Sequence, residues 1–401
     1  MGFLLLHPFS ESMASGVRTL ELAKSLQKIG FEPIVFSPYE RTHVRDCVKV
    51  VNVPTLFSTL KVESIAYYVS RRVYYSRTLQ KLVIKVSKKL AAGGLSGSLK
   101  LEEMLKKFDV DIVQAEQDNA ALLLLSIRQK LGLPIVLDLH GIWPEELLAA
   151  AAIRKDSKDW KDLQSLMEYV VNNVDLTVCL SEAMKEYVLS NYGVQSNKVV
   201  VVPPGGRVFL NSYNERPAPP KVVYAGIVSY RKHVDLFVRS MPYIMSRKPD
   251  VNFYITKRGD LLSQIQGLAE NLKVNPVYFW FNDLQETLRF LFSCHMGVLP
   301  TTNDTSSRIS MPSKLFDYLS AGLPVVANEV GGWTDIIKNN GVGKVTMDQP
   351  EDFAKGILEL LDAPEKMAES GRRGIELIKT VYNWDVSAKL LAQNYKKLCK
   401  N

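Results

Sequence analysis

Cysteine is scarce in this 401-residue chain: Cys47, Cys179, Cys294 and Cys399 are the whole set, and no two form a C-x-x-C pair. That excludes a disulfide framework and a thiolate metal knuckle, and it sets the expectation of reduced thiols and a cytoplasmic protein. No apolar run approaches the roughly 20 residues of a membrane span. The opening MGFLLLHPF is apolar only as far as His7 and Pro8 and has no basic flank, so it does not read as a signal peptide. Leu6 stands where a myristoylation signal on Gly2 needs Ser or Thr. Also missing are G-x-G-x-x-G, a Walker lysine and any repeat of solenoid length.

What is present is ordinary globular material, 46% hydrophobic and 23% charged, enough for about two to three domains. The net charge of +8 is unevenly placed. Between Lys61 and Lys107 eleven basic residues face only Glu63, Glu102 and Glu103, so the excess is local. Local basicity calls for an anionic partner near that segment. Within it, Lys61–Leu90 carries apolar residues at helical spacing, including Ile65, Val69, Leu82 and Val86. Two accounts stand side by side: a surface helix with a solvated basic face, or an amphipathic helix lying on anionic lipid headgroups.

Short β-branched runs alternate with helical patterns, which predicts parallel sheets in an α/β architecture. The expected strands of the first half are Phe3–Leu6, Glu32–Ser37, Ile112–Ala115, Ile135–Leu139, Leu176–Leu180 and Val199–Val202. After Pro203-Pro204-Gly205-Gly206, the proline-rich stretch Asn211–Lys221 reads as a linker. The alternation restarts at Val222–Ala225, Val251–Ile255, Val277–Trp280, Met296–Leu299 and Pro324–Ala327.

Ligands of such sheets sit beyond the carboxyl ends of the strands. Four places there could carry chemistry. Gly16, in a loop ahead of the first helix, would let backbone approach a phosphate, although a plain turn explains it too. His140 ends the strand Val136–Leu139 and offers a hydrogen-bond partner or base, or merely caps its own loop. Arg231 and Lys232 follow the strand that opens the second half and suit a diphosphate, or a solvated turn. In Ser310–Ala327 a Pro-Ser pair starts a helix whose free amides can hold phosphate oxygens. Asp317, one turn on, is placed to accept from vicinal hydroxyls such as a ribose. A plain helix–turn–strand does not explain why Lys314 and Asp317 share a face.

The run Pro312-Ser313-Lys314-Leu315-Phe316-Asp317-Tyr318-Leu319-Ser320-Ala321-Gly322-Leu323-Pro324-Val325-Val326 resembles the donor-binding signature of glycosyltransferase family 4. Val199–Gly205, Val222–Val238, Val298-Leu299-Pro300 and the tail Tyr382–Tyr395 with Trp384 are similar to further segments of that family. The resemblance implies a retaining glycosyltransferase of GT-B fold, two Rossmann-like domains facing across a cleft. On this reading residues 1–206 form the acceptor-side domain, 207–381 the nucleotide-sugar domain, and 382–401 a helix crossing back to the first. It further implies that Lys232 and Arg231 face the diphosphate of a nucleotide-sugar, helped by Gly16 and by amides near Ser313, Lys314 and Leu315. Asp317 would hold the ribose, and His140 would contact the transferred sugar.

The sequence departs from the family pattern in places. Ile309 occupies the first position of E-x7-E and Asp317 the second, Ile227 replaces the usual arginine, and Lys232-His233 stands for Lys-Gly. A nucleotide-sugar-binding scaffold without activity is therefore the rival reading. A nucleic-acid partner is not expected, because it would leave half the chain without use. No cofactor and no metal are expected, since cations and helix-end amides suffice to stabilise a diphosphate leaving group. Asp109-Val110-Asp111, which spells a metal motif of another glycosyltransferase fold, falls at the amino end of a strand and reads as a strand entry. Glu116, just past a strand end, is either a group that binds or deprotonates the acceptor hydroxyl or a solvated acid. A glycan or lipid-linked acceptor at the cytoplasmic face of a membrane follows from the basic segment. On that account the chain is expected to sediment with anionic vesicles at low salt and to be released when the Lys81–Lys89 cations are replaced; no binding, or binding that survives replacement, removes the lipid argument.

Overall fold

The computed structural model describes residues 1–6, 9, 14–38, 40–53, 97–209, 213, 216–281 and 284–399. The expected basic helix Lys61–Leu90 lies outside the described residues. Of the basic set only Lys100, Lys106 and Lys107 fall within them, on the helix Gly97–Lys107, where Lys106 pairs with Glu102 one turn away at 2.7 Å. The chain divides into two compact units, Met1–Pro203 with Ser387–Asn401, and Pro204–Val386. The expected boundaries stood at 206/207 and 381/382.

The first unit holds β1 (Gly2–Leu5), β2 (Ile34–Ser37), β3 (His43–Arg45), β4 (Val48–Asn52), β5 (Val113–Glu116), β6 (Ile135–Asp138), β7 (Leu176–Cys179) and β8 (Val199–Val201). They line up as β3-β4-β2-β1-β5-β6-β7-β8, parallel throughout except where β3 meets β4. The hairpin β3–β4 escaped the sequence pattern. Its two-residue turn, Asp46 and Cys47, takes φ of 45° and 69°, the left-handed pair such a turn demands, without the glycine that advertises it. The second unit holds β9 (Lys221–Tyr224), β10 (Asn252–Thr256), β11 (Val277–Phe279), β12 (Met296–Leu299), β13 (Val325–Asn328) and β14 (Gly343–Thr346). All are parallel, in the order β11-β10-β9-β12-β13-β14. The edge strand β14, short and partly polar, was also not expected.

In both sheets the winding direction reverses beside the first strand, between β1 and β5 and between β9 and β12. Such switch points open a crevice at the carboxyl edge, where parallel α/β sheets bind ligands. The helix Ser313–Ser320 runs back between β12 and β13, so its amino end stands at that edge. Its Leu315, Phe316, Tyr318 and Leu319 are fully buried in the core that includes Trp333 and Val325. At its other end Arg216 donates to the carbonyls of Ala321 at 2.7 Å and Gly322 at 3.3 Å, satisfying groups that a helix end leaves open. Tyr318 fixes the first ligand loop: its hydroxyl accepts from the Ala225 N–H at 2.7 Å. Tyr318→Phe strands that buried amide, so unfolding of the second unit is expected at a lower temperature, with a loss of about 1–3 kcal/mol; calorimetry that shows no shift would remove this role.

Candidate active site

Two groups of polar side chains gather at the carboxyl edges, one in each unit. The first is built by strand geometry. Glu116 and Asp138 are register partners on β5 and β6, so their side chains leave the sheet on one face, and Gln114, two residues before Glu116, shares it. His140 follows the end of β6. Arg18, on the helix Ala14–Gln27, reaches Asp138 through Nε at 2.8 Å and Nη2 at 3.2 Å, and Nη2 also donates to the Val202 carbonyl at 3.0 Å. Gln114 Nε2 donates to Glu116 Oε1 at 2.9 Å and to Asp138 Oδ2 at 3.1 Å. His140 Nε2 lies 3.0 Å from Glu116 Oε2 and 3.7 Å from Asp138 Oδ2. The turn from β5 into the next helix carries Gln117 at φ 78°, and its Oε1 accepts from the His140 N–H at 3.4 Å. A non-glycine residue held there marks a turn that its surroundings over-determine.

Electrostatics give the cluster its character. Gln114, Glu116 and Asp138 are fully buried, and Arg18 is 3% exposed. Burial works to raise the Asp138 carboxyl, yet the Arg18 guanidinium and His140 hold it down at about 2. Burial likewise works to discharge His140, but the Asp138 and Glu116 carboxylates prevail and raise it to about 9. At neutral pH the ring is therefore an imidazolium, a donor rather than a base. Glu116 is fully buried and so is not a solvated acid; Gln114 donates to one of its oxygens and His140 Nε2 lies 3.0 Å from the other. Glu116, Asp138 and His140 bring their ligand atoms within 4.8 Å of one another. Arg18 grips Asp138 through both of its carboxylate oxygens.

The second group surrounds the loop after β9. A Cβ built on Gly226 would lie 2.4 Å from Lys314 Cε and 2.8 Å from the Tyr224 hydroxyl; only glycine lets the Lys314 side chain cross the backbone there. Thr302, past β12, donates to the Arg231 carbonyl through N and Oγ1, both at 3.3 Å, joining the two loops. The helix from Ser313 has Pro312 at its cap position and no side chain capping its amides. Asp317, one turn on, is solvent-exposed and interacts electrostatically with Lys314 and Arg207.

The expected residues thus fall on two sets. Arg231, Lys232, Ser313, Lys314 and Asp317 stand on one sheet edge of the second unit, and His140 and Glu116 on one sheet edge of the first. Gly16 is not in a loop: the helix begins at Ala14, which puts Gly16 in its first turn. Leu315 is a correction: its side chain is fully buried, and its N–H donates to the Pro312 carbonyl at 3.1 Å, so it packs the helix instead of meeting a ligand. Ile309 is likewise a core residue, 7% exposed. Asp109-Val110-Asp111 does precede β5 at its amino end. Gln114, Asp138 and Tyr395 were missed, although the polar alternation in Val113–Glu116 and the acid that ends Ile135–Asp138 are readable anomalies in otherwise apolar buried strands.

His233 explains a departure from the family pattern. It sits at φ 44°, a conformation that favours glycine. Two carboxylates compensate, Asp235 at 2.9 Å from Nδ1 and Asp348 at 2.9 Å from Nε2. Against the effect of burial they raise the ring's proton affinity.

Two parallel α/β units, each with a polar site at its carboxyl edge, make up a GT-B fold. Similar folds include sucrose-phosphate synthase from Thermosynechococcus elongatus (TM-score 0.71, 14% identity, 99% of this chain and 98% of that one). Another is HepE of Anabaena in complex with UDP and glucose (TM-score 0.65, 13% identity, 98% of each chain). The chain belongs to glycosyltransferase family 4: residues 15–205 match the model described as Glycosyltransferase Family 4, and residues 219–363 the one described as Glycosyl transferases group 1. Among curated relatives, a D-inositol 3-phosphate glycosyltransferase of Paenarthrobacter aurescens is 21% identical over 295 residues, 68% of this chain and 69% of its own.

The charge on His140 has a measurable consequence. Its folded value near 9 lies above the ordinary 6.5, so its contribution to stability is full below about 6.5 and is lost as pH rises through about 9. The urea midpoint of the first unit is expected to fall across that window, and the fall is expected to shrink in His140→Gln; identical pH profiles would refute the ion pair.

Proposed function

We propose that this glycosyltransferase transfers a sugar, a hexose, from a nucleoside-diphosphate donor to an acceptor hydroxyl with retention at the anomeric carbon, and needs no divalent ion. The observation that carries this reading is Lys314 lying across Gly226. It brings a third cation, and the uncapped amino end of its own helix, to the loop that bears Arg231 and Lys232. Three cations and a set of free amides at one sheet edge match a diphosphate. Breaking the anomeric C–O bond leaves negative charge on that diphosphate and positive character on the sugar ring. Groups already in place for the developing charge lower the barrier without reorganisation. Asp317 serves the ribose hydroxyls, within reach of the same phosphates.

The first unit then handles the sugar and the acceptor. His140 is charged at neutral pH, and its Nδ1 is buried with no hydrogen-bond partner among the described residues; it is assigned to donate to a hydroxyl of the transferred sugar. The inositol phosphate in the name of the Paenarthrobacter relative supports a polyhydroxyl acceptor. The basic segment supports one that is lipid-linked or held at a membrane surface on the cytoplasmic side. No helix among the described residues is long and apolar enough to cross a membrane.

UDP, GDP and ADP are to be compared by thermal shift, with and without chelator. At least one is expected to stabilise the folded protein, equally in EDTA. Lys232→Ala is expected to weaken that shift and to lower transfer by about 10²–10³-fold, the usual loss for one leaving-group donor. An absence of binding by all three would sink the donor assignment, and a full loss of activity in chelator would overturn metal independence.

A further inference from the structure

The cluster around His140 does not end at its carboxylates. Gln114 donates to both Glu116 and Asp138. Ionised carboxylates only accept, so the amide nitrogen must face them and Oε1 must face away. On that far side stands the hydroxyl of Tyr395, on the helix Trp384–Leu398, which donates to Gln114 Oε1. Burial, and then the nearby Asp138 and Glu116 charges, push this phenol well above its ordinary value, so it remains a donor at any working pH. Tyr395 is 1% exposed and Gln114 fully buried; water does not compete for the contact.

We propose that Tyr395 is a positioning residue for His140: its hydroxyl locks the Gln114 amide in the one orientation that holds Glu116 and Asp138 together against the imidazole. This rests on the reading of His140 as the histidine of the glycosyl-transfer site. Without the phenol the amide loses its anchor, either end of it can swing toward the acids, and the two carboxylates no longer converge on Nε2. A residue 281 positions away in sequence thereby governs the end of a strand, and the last long helix becomes part of the site it braces.

Among the described residues, the groups that face this ring are few. Glu116 and Asp138 meet Nε2, Arg18 stands behind Asp138, and Gln117 accepts from the His140 N–H. Cys179, on the neighbouring β7, is pushed up to about 12 by burial and then by Asp138. Asp118, on the helix after β5, is raised by burial to about 6. Asp118 has its midpoint about three pH units below that of His140 and Cys179 about three above it, and the His140 signal is read on the ring itself, so a change in its midpoint reports the grip of the carboxylates.

The test is an NMR titration of histidine-labelled full-length protein, with the His140 signal identified by its loss in His140→Gln. Tyr395→Phe keeps the ring and its edge contact with Phe31. It is expected to lower the His140 midpoint from about 9 by about one pH unit or more, toward the ordinary imidazole range. Gln114→Met, which cannot donate, is expected to do the same, and the double variant to shift no further than Gln114→Met alone, as members of one chain of contacts must. In transfer assays Tyr395→Phe is expected to lower kcat about tenfold with the donor KM unchanged. A midpoint that does not move in Tyr395→Phe, or shifts that add in the double variant, would overturn the proposal. The titration needs no substrate, so a protein that binds no nucleotide would sink the functional reading and leave this result standing on its own.

Discussion

Arg18 against Asp138 is the contact on which the first unit's chemistry rests. β5 and β6 are buried on both faces, and two carboxylates at their ends could not stay ionised there unaided, because an isolated buried charge costs several kcal/mol. The guanidinium neutralises one, and the imidazolium of His140 neutralises the other. Remove Arg18 and the surplus negative charge must be relieved by protonating an acid or by opening the site to water. The charge of His140 is thus imposed by the count of its neighbours, two negative charges against one fixed positive one. A histidine that could serve as a base is made a donor by the two carboxylates beside it.

The second unit solves the opposite problem. Its carboxyl edge gathers cations, Arg231, Lys232 and Lys314, with a helix amino end that adds roughly half a positive charge. Backbone contacts shape that edge. Tyr318 grips the Ala225 amide, Thr302 ties the β12 loop to the Arg231 carbonyl, and Gly226 is bare so that Lys314 can cross. His233 extends the same logic to the far end of the loop. Its left-handed backbone would suit glycine, but a ring held by Asp235 and Asp348 pins the loop to the segment after β14, a restraint that glycine could not supply.

The layered α/β architecture and the helix Ser313–Ser320 were legible because their signals are local: apolar runs at strand spacing, and a helix whose polar residues Lys314 and Asp317 fall on one side. What stayed hidden was assembled by topology. Arg18, Gln114, Asp138, His140 and Tyr395 come from four elements and a loop, and only the pairing of β5 with β6 and the return of the last helix to the first unit bring them together. Glu116 was misjudged for the same reason, since strand-end acids look alike in sequence whether water or an imidazole is their neighbour. Leu315 was misplaced by carrying over a motif as a block. Within Ser313–Ser320 the helical period sorts neighbours to opposite faces, so Lys314 and Asp317 reach the edge while Leu315 packs inward. The hairpin β3–β4 was lost because Asp46 and Cys47 adopt left-handed backbone without being glycine.

The two edges differ in the kind of ligand each can tolerate. An edge rich in cations and helix-end amides suits an anion, and it gains most when that anion acquires charge during reaction. A site whose four charges cancel has no net pull on an anion; it offers directional donors and acceptors that suit neutral hydroxyls. A nucleotide-sugar is divided in the same way, charged at the diphosphate and neutral at the sugar. On the proposed reading, a division of labour between the units would follow from this difference in charge. It would also require the cancellation around His140 to be geometric as well as numerical: if the two carboxylates drift from the ring, the charges still sum to zero, but the imidazole N–H loses its fixed direction.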